Sequence, residues 1–288
     1  MRYAIISDIH GNLAALTSVL QDLEQRSVDA VVCLGDVVGY YADSQAVIDM
    51  LRDHLRNYTY SINGQECEGQ LWLQGNHERG LLDHHVARHF TDTARKTLEQ
   101  TRSDLAPESL ELLGNLPEKM MLQLTSALRA TLVHATPSDP VGVIGYIENA
   151  EDARLAIQEL EERNTPLCIV GHTHRPSIFY ATDRIIGATR MWKEIFIGEN
   201  FVNTVATPHE LRLPAVINPG SVGQPRDGDN RASYGILDVT QQVPTFTIYR
   251  VVYNIDDTVQ RVQAWLRDVP DSFWDHPGSL TQRLTRGL

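Results

Sequence analysis

Seven side chains able to hold a metal ion fall in five short segments of this 288-residue chain: Asp8 and His10, Asp36, Asn76, His134, and His172 with His174. Each segment follows at once on a short apolar run, at residues 3–6, 30–34, 71–74, 130–133 and 167–170. Runs of this length and composition read as buried strands of a mainly parallel sheet. The carboxyl ends of parallel strands share one edge, and ligands gather in the crevice there. A single aspartate after a strand is an ordinary turn or cap residue. Two carboxylates, four imidazoles and an amide, all at the same end of separate strands, point instead to a common metal centre.

Oxygen and imidazole donors without thiolate suit manganese, iron, zinc, cobalt or nickel, and not a cysteine-rich structural zinc site. So many histidines are too soft a set for calcium or magnesium. Seven donors exceed what one four- to six-coordinate ion uses, which implies two ions about 3.5–4 Å apart and a carboxylate that bridges them. His172 and His174, two apart in extended chain, would then serve neighbouring ions, one imidazole each. Two divalent ions partly neutralised by Asp8 and Asp36 leave about two positive charges, suited to a phosphoryl oxygen and to lowering the pKa of bound water. Gly35, Gly75 and Gly171 either let the backbone turn sharply beside the ions or only end strands.

The elements that must position these groups alternate. Helical spacing over 12–25, 43–56, a long segment 78–113, and 149–163 separates the strand-like runs, as crossovers require. From 177 to 253 short β-rich pieces divided by Gly, Pro, Asn and Asp predict antiparallel strands in a second sheet. Residues 256–267 read as a terminal amphipathic helix, followed by SLTQRLTRGL. No linker or repeat divides the chain, so a single α/β domain over 1–288 is expected, with a β-rich insertion around 180–214. Within it RMWKEIFIGENF reads equally as a lid, an oligomer contact or an added hairpin, and INGQECEGQ as a small insertion.

Composition narrows the partners. A formal charge of −12 disfavours a long duplex nucleic acid, and leaves a small phosphorylated substrate or a phosphoprotein. The N-terminus lacks a signal-peptide pattern and no apolar run approaches the ~20 residues of a membrane span, so a cytoplasmic protein with no membrane partner is expected. Cys33, Cys67 and Cys168 are scattered and odd in number, a poor disulfide framework; Cys33 and Cys168 read as buried thiols.

Asp8-x-His10, Gly35-Asp36, Gly75-Asn76-His77-Glu78, His134 and Gly171-His172-Thr173-His174 together resemble the motif set of the calcineurin-like metallophosphoesterases. NLPEKMMLQL…TLVHATP, INPGSVGQPRDGD and SLTQRLTRG are similar to its compact bacterial and archaeal branch. The resemblance implies a four-layer α/β/β/α sandwich and a phosphoesterase that uses a metal-bridging hydroxide in line with the leaving oxygen, on phosphate mono- or diesters. It implies Asp8, His10, Asp36 and His174 on one ion and Asp36, Asn76, His134 and His172 on the other, with Asp36 shared. Manganese is expected first, then iron, zinc, nickel or cobalt. His77 would bind no metal and would stabilise or protonate the leaving oxygen; the competing structural role is a hydrogen bond to Asp8 or Asp36. Arg175 and Arg226 are candidate phosphate contacts, whereas Arg79, His84, His85 and His89 read as a solvated face. The rival reading is a non-catalytic metal-binding scaffold on the same fold, with metal storage or sensing a further one.

Overall fold

Strand β1 (Arg2–Ile6) shows why the N-terminal run is apolar at every position: Tyr3 and Ile5 face one core, Ala4 and Ile6 another. A strand covered on both sides has no face left for polar residues. The computed structural model of the chain describes residues 1–62, 65–68, 71–161, 165–186, 189–196, 206–266 and 280–287. β1 lies parallel to β2 (Ala30–Cys33), which lies parallel to β5 (Leu71–Trp72). On its other side β1 pairs antiparallel with β13 (Ala232–Asp238), followed by β14 (Thr245–Val251) and β11 (His209–Glu210), giving a first sheet ordered β11-β14-β13-β1-β2-β5.

The second sheet takes the order β10-β9-β12-β8-β7-β6, built from β6 (Lys119–Gln123), β7 (Arg129–Val133), β8 (Leu167–Ile169), β9 (Pro176–Ile186), β10 (Thr189–Phe196) and β12 (Ala215–Pro219). Here β7, β8 and β12 run parallel to one another, and the pairings of β6 with β7, β9 with β12 and β10 with β9 are antiparallel. A small hairpin, β3 (Thr59–Ile62) with β4 (Gln65–Glu68), stands apart at the site of INGQECEGQ. The sheets pack face to face: Ile5, Val32 and Leu71 of the first meet Leu132, Ile169 and Ile217 of the second in one apolar cluster. Helices α1 (Leu13–Glu24) and α2 (Ser44–Leu55) cover the outer face of the first sheet, joined by α8 (Ile255–Trp265) and α9 (Leu280–Arg286). Helix α7 (Ala150–Glu161) covers the second through Ala153, Ala156, Ile157 and Leu160. This is the expected four-layer α/β/β/α sandwich.

Two expectations are corrected. The five strands that deliver the polar residues belong to two sheets rather than one, and the β-rich last third does not form a sheet of its own: β11, β13 and β14 complete the first, β9, β10 and β12 the second. A continuous apolar run reports that both faces are covered, not which neighbour pairs with it. The 78–113 segment is four helices, α3 (Asn76–Leu82), α4 (His84–Ala87), α5 (Asp92–Asp104) and α6 (Pro107–Gly114). Local chemistry cuts it: the Asp83 side chain caps α4, the Thr91 side chain accepts from Ala94 N, and Pro107 opens α6. Residues 190–196 of RMWKEIFIGENF lie in the edge hairpin β9–β10, while 197–205 lie outside the described residues. The 256–267 helix ends at Trp265; position 267 lies outside the described residues, as do most of the FVNTVA piece and the Cys67 side chain. Among the described residues no helix is long and apolar enough to cross a membrane, and Cys33 and Cys168 are buried free thiols.

Candidate metal centre

The carboxyl ends of β1, β2 and β5 in one sheet and of β7 and β8 in the other all open toward one place. The backbone there is bent inward by an unusual means: Asp8 (φ 55°), His10 (54°), Asp36 (53°), His172 (66°) and His174 (60°) are all left-handed. Non-glycine residues hold that conformation at a cost of order 1 kcal/mol or more each, and such residues cluster where geometry serves function. His172 and His174 therefore sit in a tight turn rather than in the extended chain that their spacing suggested. Glycines allow the close approach: a Cβ on Gly75 would lie 2.6 Å from Asp36 N, and one on Gly171 2.8 Å from Asp8 Oδ2.

Two donor groups result. Asp8, His10, Asp36 and His174 place one ligand atom each within 4.8 Å of one another, and so do Asp36, His134 and His172. Asp36 is common to both. Asn76 adds to the second group, its Oδ1 lying 3.2 Å from His134 Nε2. All these residues are buried.

The hydrogen bonds show what the centre lacks. Backbone carbonyls only accept, so His10 Nδ1 (3.1 Å from Val38 O), His134 Nδ1 (3.0 Å from Leu34 O) and His174 Nδ1 (2.5 Å from Gln224 O) must each carry a hydrogen. Their Nε2 atoms then face inward, and those of His10 and His174, each a lone-pair acceptor, stand 3.1 Å apart. Burial pushes His10 well below its usual value, helped by the His77 ring, and burial with the Arg226 charge lowers His174. Neither ring readily takes a proton, so two bare lone pairs face each other, an arrangement that a cation relieves. Against burial, the Asp36 charge raises His134 to about 9, which puts a proton on its Nε2 towards Asp36 Oδ2 at 3.3 Å. Asp8 Oδ1 and His172 Nε2 are buried without a hydrogen bond. Orphaned acceptors around a shared carboxylate, with three of the four rings oriented by a carbonyl behind them, fit divalent metal ions.

Residues without a predicted role hold this frame. The buried Glu78 carboxylate accepts from Asp36 N (2.8 Å), Val37 N (2.7 Å), Val38 N (3.2 Å) and Gly75 N (2.8 Å), tying the Asp36 turn to the start of α3. Burial and the Asp36 charge push it up to about 7 while those donors pull it down. Asn218 at the end of β12 donates to Gly171 O (2.7 Å) and Thr173 Oγ1 (3.0 Å), and its Oδ1 accepts from Gly220 N (2.8 Å). Ser221 Oγ donates to Asp8 O at 2.7 Å. The signal for both was in view: INPGS follows an apolar run just as the ligand segments do.

His77 is buried, and its backbone N–H donates to Asp36 Oδ1 at 2.8 Å. Its ring makes no hydrogen bond among the described residues; it packs on His10, Tyr40 and Phe90 at centroid distances of 4.6, 4.7 and 5.1 Å. The side-chain bond to a carboxylate that the structural alternative required is absent from these contacts. Burial lowers the ring to about 4, so it is neutral near pH 7. Arg226 lies beside the centre, its Nη2 donating to Gln224 Oε1 at 2.9 Å, whereas Arg175 is exposed and donates to Arg226 O at 3.0 Å. Arg79 pairs with Glu118, and His84, His85 and His89 are exposed.

A family model described as the calcineurin-like phosphoesterase superfamily domain matches residues 1–242. An uncharacterized protein of Methanocaldococcus jannaschii is 29% identical over 264 residues, 90% of each chain. A metallophosphoesterase from Sphaerobacter thermophilus of known crystal structure is 32% identical over 100% of both chains, with a TM-score of 0.69. A hypothetical protein from Pyrococcus horikoshii, 18% identical, covers 98% of its own length and 100% of this chain at a TM-score of 0.69, a likeness of fold alone. With the matched domain spanning most of the chain and the Asp/His cluster at its strand ends, this protein belongs to the calcineurin-like phosphoesterase superfamily.

Proposed function

We propose that this chain hydrolyses phosphate esters at a centre of two divalent transition ions, with displacement at phosphorus in line with the leaving oxygen. The single observation that carries this reading is the pair of donor groups sharing Asp36, in the first of which the lone pairs of His10 and His174 face each other with no proton to satisfy them. Asp8, His10, Asp36 and His174 would hold one ion, and Asp36, Asn76, His134 and His172 the other, with manganese first among the candidates for this oxygen and nitrogen set. Such ions supply Lewis acidity and a water acidic enough to ionise near neutral pH.

The chain's own groups do the rest. The carbonyls of Val38, Leu34 and Gln224 fix three imidazole tautomers, so that Nε2 is the donor atom in each. His77, unpaired at the ring and wedged by Phe90 and Tyr40, is placed to donate an N–H to the leaving oxygen. Arg226 offers a charged donor to a non-bridging oxygen. The Sphaerobacter thermophilus relative, named a metallophosphoesterase, supports the reading. Substrates are small phosphorylated molecules or phosphoproteins.

Metal-stripped protein should be assayed on chromogenic phosphate mono- and diesters with manganese, iron, nickel, cobalt and zinc added back separately. Restored hydrolysis with at least one ion is expected, and the ester that turns over assigns the class. Tight ion binding with no hydrolysis of either ester would make the chain a metal-binding scaffold instead.

A further inference from the structure

The loop between His134 and helix α7 holds one aromatic ring against the centre. Pro140 O accepts from Ala135 N at 3.0 Å, and Asp139 O from Thr136 N and Gly142 N at 3.2 and 3.1 Å. The Asp139 carboxylate accepts from Ile144 N at 2.7 Å and Gly145 N at 2.8 Å. Gly142 has φ +80°, and a Cβ there would come within 2.7 Å of Ala135 Cβ and 3.0 Å of His172 Nε2, so only glycine lets the loop pass this close to the imidazole. Ile147 then anchors the loop in the apolar cluster beneath α7.

These contacts present Tyr146. Its ring lies on that of His172 at a centroid distance of 4.0 Å and an interplanar angle of 26°. Tyr146 is nonetheless 46% exposed, so one face of the ring is spent on His172 and the other stays open. The open side lines a cavity of about 480 Å³, which Thr136, two residues after His134, lines as well. The cavity therefore begins beside the second donor group, Asp36, His134 and His172. Val143, Ile144 and Leu155 give it apolar walls, although Ile144 and Leu155 are 79% and 47% exposed. Among the described residues its charged lining is Asp139, Asp152 and Glu159, all acidic. An anion entering here would meet like charge, whereas a flat neutral group would cover apolar surface that now faces water.

We propose that Tyr146 and this cavity bind the organic part of the substrate, so that the preferred phosphate esters carry a flat aromatic group without negative charge. This rests on the phosphoesterase reading above and adds a specificity to it. Tyr146 stands one stacking distance from a ligand of the second ion, within reach of a ring joined to the phosphorus through a short link. Its open face is the stacking surface, and the acidic lining selects against a second anion.

The test uses three non-hydrolysable ligands, benzylphosphonate, cyclohexylmethylphosphonate and 4-(phosphonomethyl)benzoate, in calorimetry on manganese-loaded wild type, Y146F and Y146L, with metal per chain measured alongside. The first two bury similar apolar area and differ in flatness. Stacking should make benzylphosphonate about fivefold tighter than its cyclohexyl counterpart on the wild type. The added carboxylate of the third should weaken binding about threefold relative to benzylphosphonate. Y146F keeps the ring and should keep the benzyl preference; Y146L should bring the ratio to about one with metal content unchanged. Equal affinities for the first two ligands in the wild type, a preference that survives Y146L, or a benzoate that binds as tightly as benzylphosphonate would each overturn the inference. Loss of metal in Y146L would also overturn it, by making the tyrosine a support for His172. If cyclohexylmethylphosphonate binds and only the preference is missing, the phosphoesterase reading stands and this inference falls; if no phosphonate binds the loaded wild type, both fall.

Discussion

Asn218 should matter to the metal centre although it touches no ligand side chain. It makes three hydrogen bonds from a buried position: to Gly171 O at 2.7 Å, to Thr173 Oγ1 at 3.0 Å, and from Gly220 N at 2.8 Å. Replacing it with alanine removes all three. At about 1 kcal/mol net for each neutral bond, the two bonds donated by its amide are worth ~2 kcal/mol. Gly220 N becomes a buried donor without an acceptor, which alone costs roughly 1–3 kcal/mol, while Gly171 O keeps its bond from Thr173 N at 2.7 Å. The expected destabilisation is therefore about 3–5 kcal/mol, read as a shift in the denaturant midpoint of metal-free protein with an unchanged slope. The same turn carries His172 and His174, which belong to different donor groups. Loosening it should weaken both ions together, by about 10–100-fold as for other residues that orient ligands. Asn218→Ala with wild-type affinity for both ions, or stability within about 0.5 kcal/mol of wild type, would refute the claim that this side chain holds the turn.

Three further outcomes are expected. Asp36→Asn should lose both ions, whereas His134→Ala should lose one, measured as metal per chain by elemental analysis, because only Asp36 is shared by the donor groups. His77→Asn should lower turnover by about 10²-fold or more with metal content intact, as for loss of a group that acts on the leaving oxygen; loss of metal instead would assign His77 a structural role. Loading the metal-free protein should release about one proton per chain from His134, whose raised value near 9 keeps it protonated below that pH while a metal needs its lone pair. The release should be constant at pH 7–8 and fade as the pH rises through 9; calorimetry in buffers of different ionisation enthalpy measures it.

Much of this centre was legible from residue types and order. Each donor follows directly on an apolar run, and in a parallel arrangement that places it on one edge whatever the run pairs with. Helices α1 and α2 matched their periodicity because asparagine and aspartate stand just before each and one stripe of each is apolar. What was misread depended on partners far along the chain. Tyr3–Leu237 and Ala4–Ile236 pairing puts β13 beside β1, a contact that the local pattern of neither strand records. Asn218 and Tyr146 look like ordinary loop residues until the fold sets them against Gly171 and His172.

By itself, then, the amino-acid sequence determined the donor set, its order and the two-sided burial of the strands, since these follow from side-chain chemistry and a period of two. Tertiary structure alone decided that two sheets share the centre, that five of its residues hold left-handed backbone, and that Val38, Leu34 and Gln224 stand behind the imidazoles. The physical reason is that every residue has the same carbonyl group, so which one meets a given ring is set by how the sheets pack and by nothing in the residue's identity.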